Sequence, residues 1–245
     1  RLIALDSVDS TNEEAKRRAR EGAEDGTLIW ALEQTAGRGR GGRQWASPRG
    51  NLYCSVLTRP DCALSEAAQL GFAACLGVGG ALGSVVPPLT QLNYKWPNDV
   101  LLNGRKVAGI LLETSSNPEG GLEWLIVGIG VNVASHPEDT EFPATSLAAV
   151  GAGGIEVSGL LEAFCRRFQT WVNRWLDEGF APLRRAWVIR AKGIGEPIEA
   201  RLGNGSTIAG VFDGLDDRGA LILKTEDGAT RTIDCGEVYF GTGGD

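Results

Sequence analysis

The chain has 245 residues, 42% hydrophobic and 22% charged, which suits one large domain or one domain with a small appendage and excludes wholesale disorder. Twenty-four basic against thirty-one acidic residues give a formal charge of −7, so the protein is no generic polyanion binder. One histidine, His136, excludes histidine-rich zinc sites and makes a Ser-His-Asp or Cys-His triad improbable. The five scattered cysteines (Cys54, Cys62, Cys75, Cys165, Cys235) contain no C-x-x-C pair and read as reduced thiols of a cytoplasmic protein.

In chain order, residues 1–6 read as a strand. Ser10-Thr11-Asn12-Glu13 resembles a capping box opening a helix to about Glu21. Residues 27–33 form a second strand, and a glycine- and arginine-rich loop runs from about Gln34 to Gly50 before a strand at 52–57. No charge occurs between Glu66 and Lys95. Gly71, Gly77, Gly79, Gly80 and Gly83 interrupt that stretch, Leu70, Phe72, Leu76 and Val78 keep helical spacing, and Pro87-Pro88 ends it. It is read as a buried core helix, not a membrane span. The N-terminus shows no basic-then-apolar signal peptide.

Residues 92–96 are short and extended. Residues 100–102 and 106–113 flank Asn103-Gly104, a two-residue hairpin signal. Residues 122–133 make a long apolar strand containing Gly128 and Gly130. Residues 160–176 have apolar positions at helical spacing, with Arg166, Arg167 and Arg174 on the other side, and a further helix runs to about Ala191. From Gly193-Ile194-Gly195-Glu196-Pro197 onward, short alternating strands are divided by glycine turns. This predicts a small all-β module of about fifty residues, a barrel in form. The expected division is 1–192 and 193–245.

The loop is the most informative stretch. Between Glu33 and Asp61 there is no acidic residue, whereas Arg38, Arg40, Arg43, Arg49 and Arg59 all fall there. Glycines let backbone N–H groups approach an anion, and arginines present forked donors suited to phosphate or carboxylate. Gly37-x-Gly39-x-x-Gly42 matches the dinucleotide fingerprint literally, but that motif requires a helix opening at the glycines, and here a strand follows. No Gly-Lys-Ser/Thr follows, so it is no Walker A loop either. Lys95, in Lys95-Trp96-Pro97-Asn98-Asp99, is displayed at a strand tip where Pro97 breaks pairing. Gly128-Ile129-Gly130-Val131-Asn132 places glycines inside a strand, as for close approach of a ligand or another backbone.

Taken together, Ser10-Thr11-Asn12, Gln34, the loop from Gly37 to Trp45, Lys95 to Asp99, Lys106-Val107-Ala108-Gly109-Ile110-Leu111 and Gly128 to Asn132 resemble the bacterial biotin–protein ligases, in order and over most of the chain. The resemblance implies an α+β fold: the mixed sheet with helices of class II aminoacyl-tRNA synthetases and biotin synthetases, with a small C-terminal SH3-like β-barrel. It implies that biotin and ATP, with Mg²⁺, give biotinyl-5′-AMP and pyrophosphate. The biotinyl group then passes to a lysine of a biotin carboxyl carrier protein domain, as in acetyl-CoA carboxylase. By resemblance, Ser10, Thr11, Asn12, Gln34, Arg38, Gly39, Arg40, Lys95, Gly109 and Gly128 contact biotin. Arg38, Arg40, Arg43, Trp45, Lys95 and Asn132 contact ATP or the adenylate, and Lys95 with Arg40 forms the catalytic pair.

No metal ligand is assigned, and Asp99 and Glu113 are candidates for deprotonating the acceptor lysine. Carboxylate adenylation suits a protein with one histidine, because the substrate carboxylate is itself the nucleophile and the protein need only position it and neutralise charge. Two other readings are carried: a lipoate–protein ligase or octanoyltransferase of the same fold, and a non-catalytic biotin-sensing regulator. Some members bear an N-terminal winged helix-turn-helix; only nine residues precede Ser10 and the chain begins at Arg1 rather than Met. The expectation is therefore a monofunctional cytoplasmic ligase, monomer or homodimer, with no DNA or membrane partner.

Overall fold

A computed structural model describes residues 1–240. Its elements in order are β1 (Leu2–Leu5), α1 (Thr11–Arg20), β2 (Thr27–Ala31), β3 (Leu52–Thr58), α2 (Leu64–Ala67), α3 (Gln69–Gly83), β4 (Leu92–Lys95), β5 (Asp99–Leu102), β6 (Arg105–Ser116) and β7 (Leu122–Val131). These are followed by α4 (Val157–Glu178), α5 (Ala181–Val188), β8 (Pro197–Leu202), β9 (Thr207–Leu215), β10 (Leu221–Lys224), β11 (Thr230–Ile233) and β12 (Gly236–Phe240).

Seven strands form one mixed sheet in the order β1-β2-β3-β7-β6-β5-β4; β1 and β2 are parallel and the other neighbours antiparallel. The Asn103-Gly104 turn joins β5 to β6 as its sequence signals, with both φ angles positive (49° and 75°), the geometry that matches strand twist. Alternation along β7 sorts the two faces. Leu125, Val127, Ile129 and Val131 enter the large core shared with α3, α4 and α5. Trp124 and Ile126 point the other way, onto Ala15 and Ala19 of α1.

α3 is buried on nearly every side, which answers the chargeless run from Glu66 to Lys95 without a membrane; no helix among the described residues is long and apolar enough to cross one. Its glycines are where other elements touch it. A Cβ on Gly77 would lie 3.2 Å from the Phe168 backbone, so the α3–α4 crossing is close at that point. A Cβ on Gly79 would land on the buried Tyr94 ring, which stacks 5.9 Å from Trp187.

Two expectations are corrected. Ser10 occupies the N-cap position of α1, but its side chain makes no capping bond. The N–H of Thr11 instead donates to Gln34 Oε1 at 2.8 Å, so a loop side chain from another segment satisfies that helix end. The C-terminal strands form an open five-stranded antiparallel sheet, β11-β10-β9-β8-β12, not a closed barrel. The Asp234-Cys235 link turns the chain from one edge of this sheet to the other without pairing β11 to β12, and residues 241–245 of the expected module lie outside the described residues. Ile198, Ala200, Phe212 and Leu221 continue the large core without a break.

The two kinds of helix glycine make opposite predictions. Gly79→Ala must displace Tyr94 and should destabilise the protein by about 1–3 kcal/mol, outweighing the helix-propensity gain. Gly83→Ala meets nothing within 4 Å and should stabilise by up to about 1 kcal/mol. Urea unfolding of the two variants, compared by midpoint, checks both signs.

Candidate functional site

On the α1 side of the sheet, β7 runs out of side chains. Beyond Trp124 and Ile126 come Gly128 and Gly130, and Gly109 of β6 lies directly across from Gly130. The result is a trough past the first turn of α1, a cleft of about 240 Å³. All thirteen residues singled out from the sequence line it: Ser10, Thr11, Asn12, Gln34, Arg38, Gly39, Arg40, Arg43, Trp45, Lys95, Gly109, Gly128 and Asn132.

One end of the cleft is a buried polar network. Asn12 sits where a Gly128 side chain would be, since a Cβ there would collide with its amide. Its Oδ1 accepts from Ser55 at 2.6 Å, and its Nδ2 donates to Glu113 at 2.8 Å. Ser55 also lies 2.8 Å from the Thr11 hydroxyl, which donates to Gln34 at 3.1 Å. Burial opposes ionisation of Glu113, but hydrogen bonds from Lys16 and Asn12 prevail and hold its carboxyl below the usual range. Glu113 thus anchors α1 to the sheet and is not placed as a base. Ser55 is a buried hydroxyl that sequence reading missed; the signal was available, because it opposes Gly128 in the β3–β7 register.

At the other end the indole of Trp45 rests on the glycine pair. A Cβ on Gly130 would come within 2.6 Å of its ring, and one on Gly109 within 3.1 Å. Its Nε1 is buried without a hydrogen-bond partner among the described residues. Asn132 is also buried, but its Nδ2 donates to the Thr145 carbonyl at 3.0 Å.

The arginine loop folds into a tight hairpin rather than an open cradle. Gly39 N–H donates to the Arg43 carbonyl at 2.7 Å and Trp45 N–H to the Gly37 carbonyl at 2.9 Å, while Gly41 and Gly42 take positive φ at the tip. Those glycines shape the turn, and the Gly39 donor is already engaged. Each arginine has a protein partner. Arg38 pairs with Glu13, and Arg43 pairs with Glu237. Arg40 donates to the Gly236 carbonyl at 2.6 Å and to Cys235 Sγ at 2.8 Å. None of these acceptors lies near the loop in sequence.

Lys95 ends β4 and is only 4% exposed. Asp99, its cross-strand neighbour, bonds Lys106 instead at 2.6 Å. Lys95 Nζ faces the Phe142 ring, 2.8 Å from its centroid. Burial pulls its ammonium down to about 7; Asp99 and Glu141 partly oppose this, and Lys106 and Arg43 add to it. Lys106, Asp99, Glu141, Phe142 and Glu237 line the cleft, and no role had been assigned to Lys106, Glu141, Phe142 or Glu237. Lys106 lay inside a motif already noticed; the others belong to remote segments without a sequence signal.

The cleft therefore offers a polar notch, an aromatic wall on a glycine floor and a group of cations. This arrangement suits a ligand that carries both polar and anionic groups. Residues 2–189 match the Biotin/lipoate A/B protein ligase family, and residues 193–241 match the Biotin protein ligase C terminal domain. The chain is 43% identical to a biotin–[acetyl-CoA-carboxylase] ligase of Paracoccus denitrificans, over 97% of this chain and 99% of that protein. It is 37% identical to the bifunctional ligase/repressor BirA of Bacillus subtilis, over 94% of this chain and 71% of that protein. The Aquifex aeolicus biotin protein ligase, solved in complex with biotin and ATP, superposes with a TM-score of 0.81 at 32% identity, covering 97% of each chain. By sequence and by fold, this chain belongs to the biotin protein ligase family.

Proposed function

We propose that the protein is a biotin–protein ligase that activates biotin with ATP to biotinyl-5′-AMP and transfers the biotinyl group to a lysine of a biotin carboxyl carrier protein domain. The observation carrying this reading is one cleft whose lining brings together Lys95, buried and without a bonded carboxylate among the described residues, the Asn12 notch and the Trp45 wall. The relatives named above favour biotin over lipoate, and the cation cluster favours catalysis over mere sensing.

In the first step, a biotin carboxylate oxygen forms a bond to the α-phosphorus of ATP and the bond to pyrophosphate breaks. Lys95 is assigned to the carboxylate and α-phosphate oxygens. Its ammonium is desolvated before they arrive, so its field there is stronger than an exposed lysine's. Arg40 is assigned to the phosphate beside it. Ser10, Thr11, Asn12 and Gln34 are assigned to the polar ring of biotin, with Gly128 leaving room for it. Arg38, Gly39 and Gly109 flank its carboxylate end, and Trp45, Asn132 and Arg43 face the nucleotide. In the second step, the acceptor amine attacks the activated carbonyl, AMP leaves and the amine loses a proton. No protein ligand is assigned to Mg²⁺, which would be carried in by ATP and would supply charge neutralisation on its phosphates.

Biotin-dependent exchange of labelled pyrophosphate into ATP tests the reading, with lipoate and octanoate in parallel. Exchange with biotin alone supports it, and exchange only with lipoate overturns it. Lys95→Ala should lower the adenylation rate by roughly 10²–10³-fold while biotin affinity changes much less; single-turnover formation of the adenylate and calorimetric biotin binding separate the two. Gly128→Ala should act in the opposite way. A methyl group there displaces the Asn12 amide, so biotin binding should weaken by roughly 10–100-fold while the rate at saturating biotin is largely kept. A Gly128→Ala enzyme with unchanged KM for biotin would remove the notch from the binding site.

A further inference from the structure

Residues 137–144 form part of the cleft wall and belong to neither sheet. Backbone bonds tie one end of this strap to β6: Lys106 N–H donates to the Pro143 carbonyl at 2.8 Å, and Thr145 N–H to the Lys106 carbonyl at 2.9 Å. The other tie is to the C-terminal sheet. The Tyr239 hydroxyl donates to Glu141 Oε1 at 2.9 Å, and Arg201 donates to the same oxygen at 3.2 Å. The Arg201 guanidinium in turn lies 4.2 Å from the Tyr239 ring centroid. Next along the strap is Phe142, whose ring is 5.0 Å from the Tyr239 ring on one side and 2.8 Å from Lys95 Nζ on the other.

A lone exposed ion pair such as Arg201–Glu141 contributes little by itself. Here a phenol, a guanidinium and a tilted ring contact converge on two consecutive residues, and the second of these covers the buried ammonium. We infer that Tyr239 and Arg201 are positioning residues for adenylation: by holding Glu141 they seat the Phe142 ring on Lys95 and keep water from it. The charged and titratable groups around Lys95 are Asp99 and Lys106 from β5 and β6, Arg43 from the arginine loop and Glu141 from the strap. Tyr239 and Glu237 of β12 reach it through Phe142 and Arg43. With the ring seated, burial dominates and lowers the affinity of Lys95 for its proton; with the ring released, water stabilises the ammonium.

This inference rests on the role given to Lys95 above, but it can be tested on the protein without substrates. The chain has five lysines (Lys16, Lys95, Lys106, Lys192 and Lys224), so carbon-13 labelling at lysine Cε gives a spectrum in which Lys95 is identified by the signal lost in Lys95→Arg. Tyr239→Phe keeps the ring contact and removes the hydroxyl that bonds Glu141 and lies 3.1 Å from Glu237. It should raise the Lys95 titration midpoint by about one pH unit or more, and lower kcat for adenylation roughly 3–10-fold with KM for biotin unchanged. Glu141→Gln keeps an acceptor for Tyr239 and Arg201 but removes a negative charge, so the midpoint should stay or fall. A midpoint unmoved in Tyr239→Phe, or raised equally in both variants, overturns the inference. A raised midpoint combined with unimpaired adenylation by Lys95→Ala would keep the latch and overturn only the role given to Lys95.

Discussion

A strand alternates its side chains between two faces, and β7 uses that rule to be core and cleft at once. Its even positions run Trp124, Ile126, Gly128, Gly130, changing from bulk to nothing within one strand while the odd positions remain large and buried. Deleting two side chains from one face of a central strand normally weakens a sheet. Here the neighbours compensate: Asn12 fills the place beside Gly128, and Trp45 lies over Gly130 and Gly109. Cleft-lining residues from α1 and from the arginine loop thus stand on backbone that the core holds from behind. Their positions follow from the register of β3, β7 and β6.

Electrostatics of the cleft follow from the same enclosure. The protein is acidic overall, yet it gathers Arg38, Arg40, Arg43, Lys95 and Lys106 around one cavity. Four of these have a protein acceptor: Glu13 for Arg38, Gly236 and Cys235 for Arg40, Glu237 for Arg43 and Asp99 for Lys106. Lys95 has an aromatic face instead. An anionic ligand therefore competes with carboxylates for Arg38 and Arg43 and with a carbonyl and a thiol for Arg40, but meets no such competitor at Lys95 among the described residues. The greatest gain from anion binding is concentrated at the one cation that sits deepest.

Much of this was legible in the sequence, for identifiable reasons. The 103–104 hairpin, the buried glycine-rich helix and the glycines inside the last strand of the large sheet each rest on a local rule, turn geometry or periodicity, that tertiary contacts did not override. The thirteen candidate residues converge on one cleft because they lie inside or at the ends of sheet strands, at the start of α1, and on the loop packed over them. What could not be read is whatever depends on distant segments meeting. Ser10 looks like a cap, but Gln34 takes that task. The loop glycines look like a phosphate cradle, but two of them turn a hairpin whose arginines are held by residues up to two hundred positions away. Closure of the last five strands into a barrel was inferred from strand count and spacing, neither of which determines whether β11 meets β12.

The C-terminal sheet is best understood through the places where it touches the cleft. The Gly219 carbonyl accepts from Trp96 Nε1 at 3.0 Å, beside Lys95. Cys235 and Gly236, at the start of β12, accept from Arg40, Glu237 takes Arg43, and Tyr239 with Arg201 takes Glu141. Three segments remote from one another in sequence, the arginine loop, the Trp96 turn and the strap, are each held by this one sheet. The individual contacts are modest, and most are partly exposed. Their value is geometric: no helix or sheet of the larger layer spans all three, so without the C-terminal strands the cations would be displayed but not aligned. Reactions that use positioned charge in place of a nucleophilic side chain depend on that alignment, because the stabilising field falls away as the groups drift from the charge that develops. An element with none of the thirteen candidate residues can therefore still set the rate.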